Sequence, residues 1–425
     1  MITCPMRLAL LPALLFSLSF PSLAQEKAKG YIQNNTVPVA TISPDSRDYS
    51  DLEAIGNAIA DSRIVLLGEQ SHGDGATMLA KSRLVRYLHE KKGFDVLAFE
   101  GDFFGLNTGW GLAQKDSAGV RAFLTRNLPP MWSSTAQCAS LLYSFLPATY
   151  LYGRPMEITG FDSQVGYAHS NASLRDSIDQ YLRRLGVPYT RMGRYEQLFL
   201  PSITRLKEWT GKTKEGRVWM EGFALAADTV LAQLGPTASD DFGYLMLENA
   251  RAFARQLLVY EQPLASYIVR DTQMARNLRW LAQVRYPNRK VIVWAANSHI
   301  MKNAGSALKG QDAAIRWMGT QLAEDPTLER QAYTIGFASR QGTYRNGPKL
   351  VGVPKPLKDG FETWVADSMA YGFVDFRRFR RENPSRRELF MMKGSRHMNA
   401  TALWTKVFDG VFYIRDMEPT VSLKP

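Results

Sequence analysis

Ile64-Val65-Leu66-Leu67 and Val291-Ile292-Val293-Trp294 are continuous runs of β-branched and large apolar residues. Neither run shows the in/out alternation of a strand with one wet face. Both read as strands buried on two sides, as in a parallel sheet covered by helices. Each run ends in a polar cluster: Gly68-Glu69-Gln70-Ser71-His72-Gly73 after the first, Asn297-Ser298-His299 after the second. In open α/β sheets the ligand crevice lies at the carboxyl ends of the strands. Two of the chain's five histidines, at 72, 89, 169, 299 and 397, fall at such ends.

Further strand-like runs lie at Val96–Glu100, Met156–Gly160, Tyr333–Phe337, Gly372–Phe376 and Val411–Arg415, with helical stretches between them. That alternation predicts an α/β fold, a mainly parallel sheet flanked by helices. From Asp162 to Lys290 no strand pattern occurs. Five helical stretches there are separated by breakers such as Pro188, Gly211, Pro236 and Pro263. They predict a helical lobe, 162–290, inserted between the third and fourth strands and walling a cleft.

The polar clusters suggest acid–base chemistry. An imidazole titrates near neutral pH, and a carboxylate three residues away can orient it. His72 is therefore a candidate general base, Glu69 its orienting partner and His299 a second catalytic group. The alternative for this stretch is a polar helix start, with Ser71 or Asp74 capping the helix Gly75–Lys92. Glu100 and Asp162 each end an apolar run. Glu100 comes near Glu69 if their strands are neighbours, where like charges raise one carboxyl pKa. Lys81, at helical spacing beyond His72, can face the same site and stabilise an oxyanion. With Asn297, these three are the candidate substrate-binding residues. Arg270-Asp271 reads as a buried ion network. Trp132 and Trp294 are candidates for an apolar wall, with core packing the plainer role for Trp294.

Residues 1–24 read as a signal peptide: Arg7, an apolar stretch from Leu8 to Phe20, then Ser22-Leu23-Ala24 before Gln25. This predicts a periplasmic or secreted protein. Residues 25–49 read as an extended leader and 50–425 as the folded domain. Export leaves Cys138 as the one cysteine of the mature chain, so no internal disulfide can form. No later segment is long and apolar enough for a membrane span. The net charge of +12 favours anionic surroundings, yet no nucleic-acid motif accompanies it. G-x-S-x-G, a Walker A loop and a zincin motif are all missing. The sequence leaves the oligomeric state open.

The blocks Gly68-Glu69-Gln70-Ser71-His72, Gly93-Phe94 through Leu97-Ala98-Phe99-Glu100 and Gly160-Phe161-Asp162-Ser163-Gln164 come first in a longer ordered series. Arg270-Asp271-Thr272-Gln273-Met274-Ala275-Arg276-Asn277, Val293-Trp294-Ala295-Ala296-Asn297-Ser298-His299, Tyr333-Thr334-Ile335-Gly336-Phe337 and Phe408-Asp409-Gly410 complete it. Together and in this order they resemble the erythromycin esterase family over nearly the whole mature chain. The resemblance implies an α/β fold with a helical lobe and a deep cleft. It also implies hydrolysis of a macrolide-type lactone without metal or cofactor. In it, the residue matching His72 is the base that activates water, the one matching Glu69 supports it, and the one matching His299 binds or polarises the ester. Glu100 and Lys81 carry over more weakly. Ala296 departs from the macrolide esterases, which usually have a histidine there. The expected partner is therefore a small-molecule ester or lactone, not a macrolide by default.

Two other readings use the same residues. Glu69, His72, Glu100 and His299 form a plausible divalent-metal set for a metal-dependent hydrolase. The cleft can also hold a hydrophobic ligand such as haem, with His72 or His299 as axial ligand.

Overall fold

The computed structural model describes residues 25–208 and 213–423; the expected signal segment 1–24 lies outside them. The strands are β1 (Val37–Pro38), β2 (Ile64–Leu67), β3 (Val96–Asp102), β4 (Glu157–Asp162), β5 (Val291–Trp294), β6 (Ala332–Asn346), β7 (Lys349–Gly352), β8 (Tyr371–Asp375), β9 (Phe390–Ser395), β10 (Met398–Ala402) and β11 (Gly410–Met417). One nine-stranded sheet runs in the order β1-β8-β11-β6-β2-β5-β3-β4, with β7 folded back on β6. The stretch from β11 to β4 is parallel throughout. β8 and β1 extend it antiparallel at one edge, and β9 and β10 form a separate hairpin. The fold is α/β, mainly parallel and flanked by helices.

The continuous apolar runs follow from burial on both faces. Ile64, Leu66, Val96, Ala98, Val291 and Val293 enter one core. Their neighbours Val65, Leu67, Leu97, Phe99, Ile292 and Trp294 enter another. Side chains alternate across a strand, so each residue pair splits between the two cores. Between β4 and β5 the helices Ala168–Arg184, Lys214–Leu234, Phe242–Leu258 and Pro263–Trp280 pack largely on one another. The first three, with the short helical turn Tyr195–Phe199, form a third core in which Ile178, Phe199, Phe223, Leu247 and Phe253 are fully buried, while Pro263–Trp280 turns Met274, Ala275 and Leu278 to the first core.

One condition set by the sequence is not met, and one expectation changes. β2 and β3 are not neighbours: β5 lies between them, with Trp294 opposite Leu67 on one side and Phe99 on the other. Residues 25–49 are not an extended leader. Glu26–Asn35 is a ten-residue helix whose Ala28, Tyr31 and Ile32 are buried at helical spacing. Tyr31 donates to the carbonyl of Asp375 at 2.7 Å, which ties this helix to the end of β8. The polar composition that reads as a leader belongs to the helix's outer face.

Candidate active site

The shared register brings three strand ends to one edge. Glu69 follows β2, Ala295 and Ala296 follow β5, and Glu100 lies near the carboxyl end of β3. The edge opens into a cavity of ≈ 400 Å3 lined by Gln70, Ser71, His72, Glu100, Tyr267, Arg270, Ala296, Ser298, His299, Trp317, Tyr344, Asn346 and Arg396. Its walls come from all three strand ends, from the helix Pro263–Trp280, from β6 and from the β9–β10 turn.

Glu69 is fully buried, with one partner for each oxygen. Its Oε1 lies 2.6 Å from His72 Nδ1, and its Oε2 accepts from Lys81 Nζ at 2.6 Å. Burial raises the carboxyl pKa, but the Lys81 charge and His72 outweigh it and hold Glu69 below the usual carboxylate range. For His72 burial acts downward; the Glu69 bond and charge, with Glu100 behind them, raise its pKa above 6.5. The imidazole is 38% exposed. Among the described residues nothing bonds its Nε2, which is left to the cavity. The Trp132 ring meets the imidazole edge-on at 5.6 Å and fixes its plane.

Across the cavity a second network holds charge. Arg270 grips Asp162 with a fork, Nε to Oδ1 at 3.0 Å and Nη2 to Oδ2 at 2.6 Å, and reaches Glu100 Oε1 at 2.8 Å. His299 Nδ1 lies 2.8 Å from Asp271 and its Nε2 3.3 Å from Glu100. Burial disfavours the His299 cation, but Asp271 and Glu100 overcome that and lift the pKa to about 10. Burial would raise Glu100, yet His299 and Arg270 hold it well below the usual range. Glu100 Oε2 accepts from the Ala296 N–H at 2.9 Å, which locks the β3 and β5 ends together.

The structure brings His72, Glu100 and His299 to one cavity and sets Glu69, fully buried, directly behind His72. It moves three candidate residues away from it. Lys81 is fully buried behind Glu69, donates also to the Ala295 carbonyl at 3.3 Å and lies over the Trp294 ring. It compensates the Glu69 charge and does not face the cavity as an oxyanion donor. Asn297 is fully buried: its amide donates to Phe337 O at 2.7 Å and Gly394 O at 2.6 Å, and its carbonyl accepts from Phe337 N at 3.1 Å. It stitches β5 to β6 and β9. Gly68 makes room for it, since a Cβ there would sit 1.9 Å from Asn297 Oδ1. Asp162 does not line the cavity; it holds Arg270 from behind. Neither Glu69 nor Glu100 is raised by crowding: each is held below the usual carboxylate range by partners of its own, Lys81 and His72 for Glu69, His299 and Arg270 for Glu100. Asp74 sits at the start of the helix Gly75–Lys92 without capping it through its side chain. Trp132 and Trp294 are both core residues.

Arg270, which the sequence suggests as a structural partner, is a cavity residue, and the motif Arg270-Asp271 was the signal for it. Tyr267, Trp317, Tyr344 and Arg396 carried no motif. Among the described residues no three His, Cys, Asp or Glu side chains are arranged to hold a metal ion. Both nitrogens of His299 face carboxylates, so neither is available as an axial ligand. Among the described residues no helix is long and apolar enough to cross a membrane.

Residues 89–417 match the sequence profile described as Erythromycin esterase. Glu100, Asp162, Arg270 and His299 fall inside that region, and Glu69 and His72 lie just before it. Over 99% of this chain and 98% of the relative, the sequence is 24% identical to "Putative hydrolase YbfO" of Bacillus subtilis (strain 168). A crystal structure of a Bacillus cereus protein superposes with a TM-score of 0.72 at 20% identity, covering 95% of this chain and 100% of that one. A mutant of the erythromycin esterase EreC in its open conformation superposes with a TM-score of 0.66 at 17% identity, covering 92% and 99%. The chain belongs to the erythromycin esterase family and is an esterase-type hydrolase.

Proposed function

We propose that the protein hydrolyses a carboxylic ester or lactone by direct attack of water, with His72 as general base. The observation that carries this is the 2.6 Å contact between Glu69 and His72 Nδ1, which leaves Nε2 turned to the cavity. Nε2 takes a proton as the water oxygen adds to the carbonyl carbon. The C–O bond to the leaving alkoxide then breaks, and the imidazolium returns the proton to that oxygen. Glu69 favours the imidazolium formed in the first step. Arg270 and His299 also line the cavity, each already paired with carboxylates, Arg270 with Asp162 and Glu100 and His299 with Asp271 and Glu100. A positioned base contributes about 10²–10⁴ in rate.

A mass-spectrometric assay of wild type and His72→Ala against aryl esters, simple lactones and macrolides tests this. Hydrolysis by wild type that the variant loses supports the reading. Equal turnover by His72→Ala would overturn it. We also infer export through residues 1–24. N-terminal sequencing of the mature protein beginning at Gln25 supports that, and an intact Met1 in the folded product refutes it.

A further inference from the structure

The loop bearing Glu69 and His72 is gripped from outside by a histidine that the catalytic reading does not use. His397 is fully buried. Its Nε2 lies 2.8 Å from Asp74 Oδ1, and Asp74 Oδ2 accepts from the Ser71 N–H at 3.0 Å. His397 Nδ1 lies 3.2 Å from Ser339 Oγ, and that hydroxyl donates to Gln70 Oε1 at 2.9 Å. The neighbouring Arg396 N–H donates to the Gln70 carbonyl at 3.0 Å. The turn thus holds residues 70, 71 and 74, on either side of His72. The Tyr344 ring, part of the cavity wall, packs 4.3 Å from the His397 ring.

The backbone of this turn is itself constrained. Arg396 and His397 join β9 to β10 as a two-residue turn with φ of 49° and 54°. Turns of this kind favour Asn-Gly, because side chains resist the left-handed region. A bulky pair persists there only where its surroundings over-determine it. The side-chain bonds of His397 are what over-determine this turn.

We propose that His397 is a positioning residue for the general-base pair: through Asp74, and through Ser339 to Gln70, it fixes the loop on which Glu69 and His72 stand. This rests on the reading of His72 as the base. The groups facing His397 are Asp74, Ser339 and Tyr344, with the buried Glu362 carboxyl also acting on it; those acting on His72 are Glu69, Glu100 and Arg270. None of the latter three is altered by a change at 397.

The test uses the full chain as wild type, His397→Asn, Asp74→Asn and the double variant. Asparagine tolerates the left-handed backbone but cannot span from Asp74 to Ser339. Diethyl pyrocarbonate labelling of His72, followed by mass spectrometry across pH, reads the His72 titration midpoint without a substrate. Turnover of p-nitrophenyl acetate gives kcat and KM. The expected result is a folded His397→Asn whose His72 midpoint moves down toward that of a free imidazole. Its kcat falls roughly 10²-fold, the scale of a small misplacement of a reacting group, with KM nearly constant. The double variant is expected to be no worse than either single, since both break one link. A folded His397→Asn or Asp74→Asn with an unmoved His72 midpoint overturns the proposal. If His397→Asn does not fold, Asp74→Asn decides. Turnover retained by His72→Ala would instead sink the base assignment, and the labelling midpoint would still report whether His397 positions His72.

Discussion

Lys81 Nζ stands 2.6 Å from Glu69 Oε2, on the far side of the carboxylate from His72. The two charges are fully buried together. Removing one leaves the other uncompensated, which costs about 3–5 kcal/mol for a pair of this kind. Lys81→Met is therefore expected to be strongly destabilised in urea unfolding. Lys81→Met combined with Glu69→Gln is expected to recover most of the loss. A single variant as stable as wild type would show that Glu69 is not held as a buried anion.

The pH dependence of activity follows from the same carboxylate. As the proposed base, His72 would act only when neutral, and Glu69 raises its pKa above 6.5. The value of kcat/KM should rise with pH through an inflection above that of a free imidazole. Glu69→Gln removes the charge that favours the imidazolium, so its inflection should move to lower pH while kcat falls. An inflection that stays in place would separate the His72 titration from Glu69.

His299 makes an opposite prediction for stability. Its pKa rises from 6.5 to about 10 on folding. The folded state therefore binds the proton more tightly, and this contribution is complete below about pH 6.5. It is lost as pH rises toward 10. The thermal midpoint of wild type should fall across that window. In His299→Gln the fall should be shallower. Parallel curves for the two proteins would mean that His299 is neutral in the fold.

Asp102, at the end of β3, is a buried carboxyl that burial pushes up to about 7. It accepts from the Gly105 N–H at 2.8 Å and from the Ser170 hydroxyl. The raised pKa means that stability present at low pH is lost as pH climbs from 3.8 to about 7. An asparagine keeps the Gly105 bond and can donate to Ser170. Asp102→Asn should melt at or above wild type at pH 8, with the gap closing toward pH 4. Calorimetry at the two pH values decides it.

The residues that carried most information in the sequence are those whose surroundings are uniform. β2, β3 and β5 are buried on both faces, so their apolar runs mark them directly, and the polar residues after them mark the open edge. Glu69, His72, Glu100 and His299 were legible for that reason. The β9–β10 hairpin was not: residues 390–402 mix Lys393 and Asn399 with apolar positions, because one strand is covered and its partner half exposed. His397 was equally silent, since its role depends on Asp74, more than 300 residues earlier. Lys81 was placed on the correct helix but on the wrong side of Glu69. Helical spacing gives the face of a helix, not what stands between that face and the cavity. Asn297 looked like a ligand group because a polar residue at a strand end does; only contact with Phe337 and Gly394 reveals a tie between strands.

The place of β5 between β2 and β3 also sets a timetable. Synthesis delivers the outer pair of strands first and the one that belongs between them about two hundred residues later. Until then β2 and β3 lack their common neighbour, and their unsatisfied edges invite pairing with each other or with another chain. The edge that carries the cavity consequently cannot close until β5 is made. Closing so long a loop is slow, so the incomplete chain depends on whatever shields those edges in the interval.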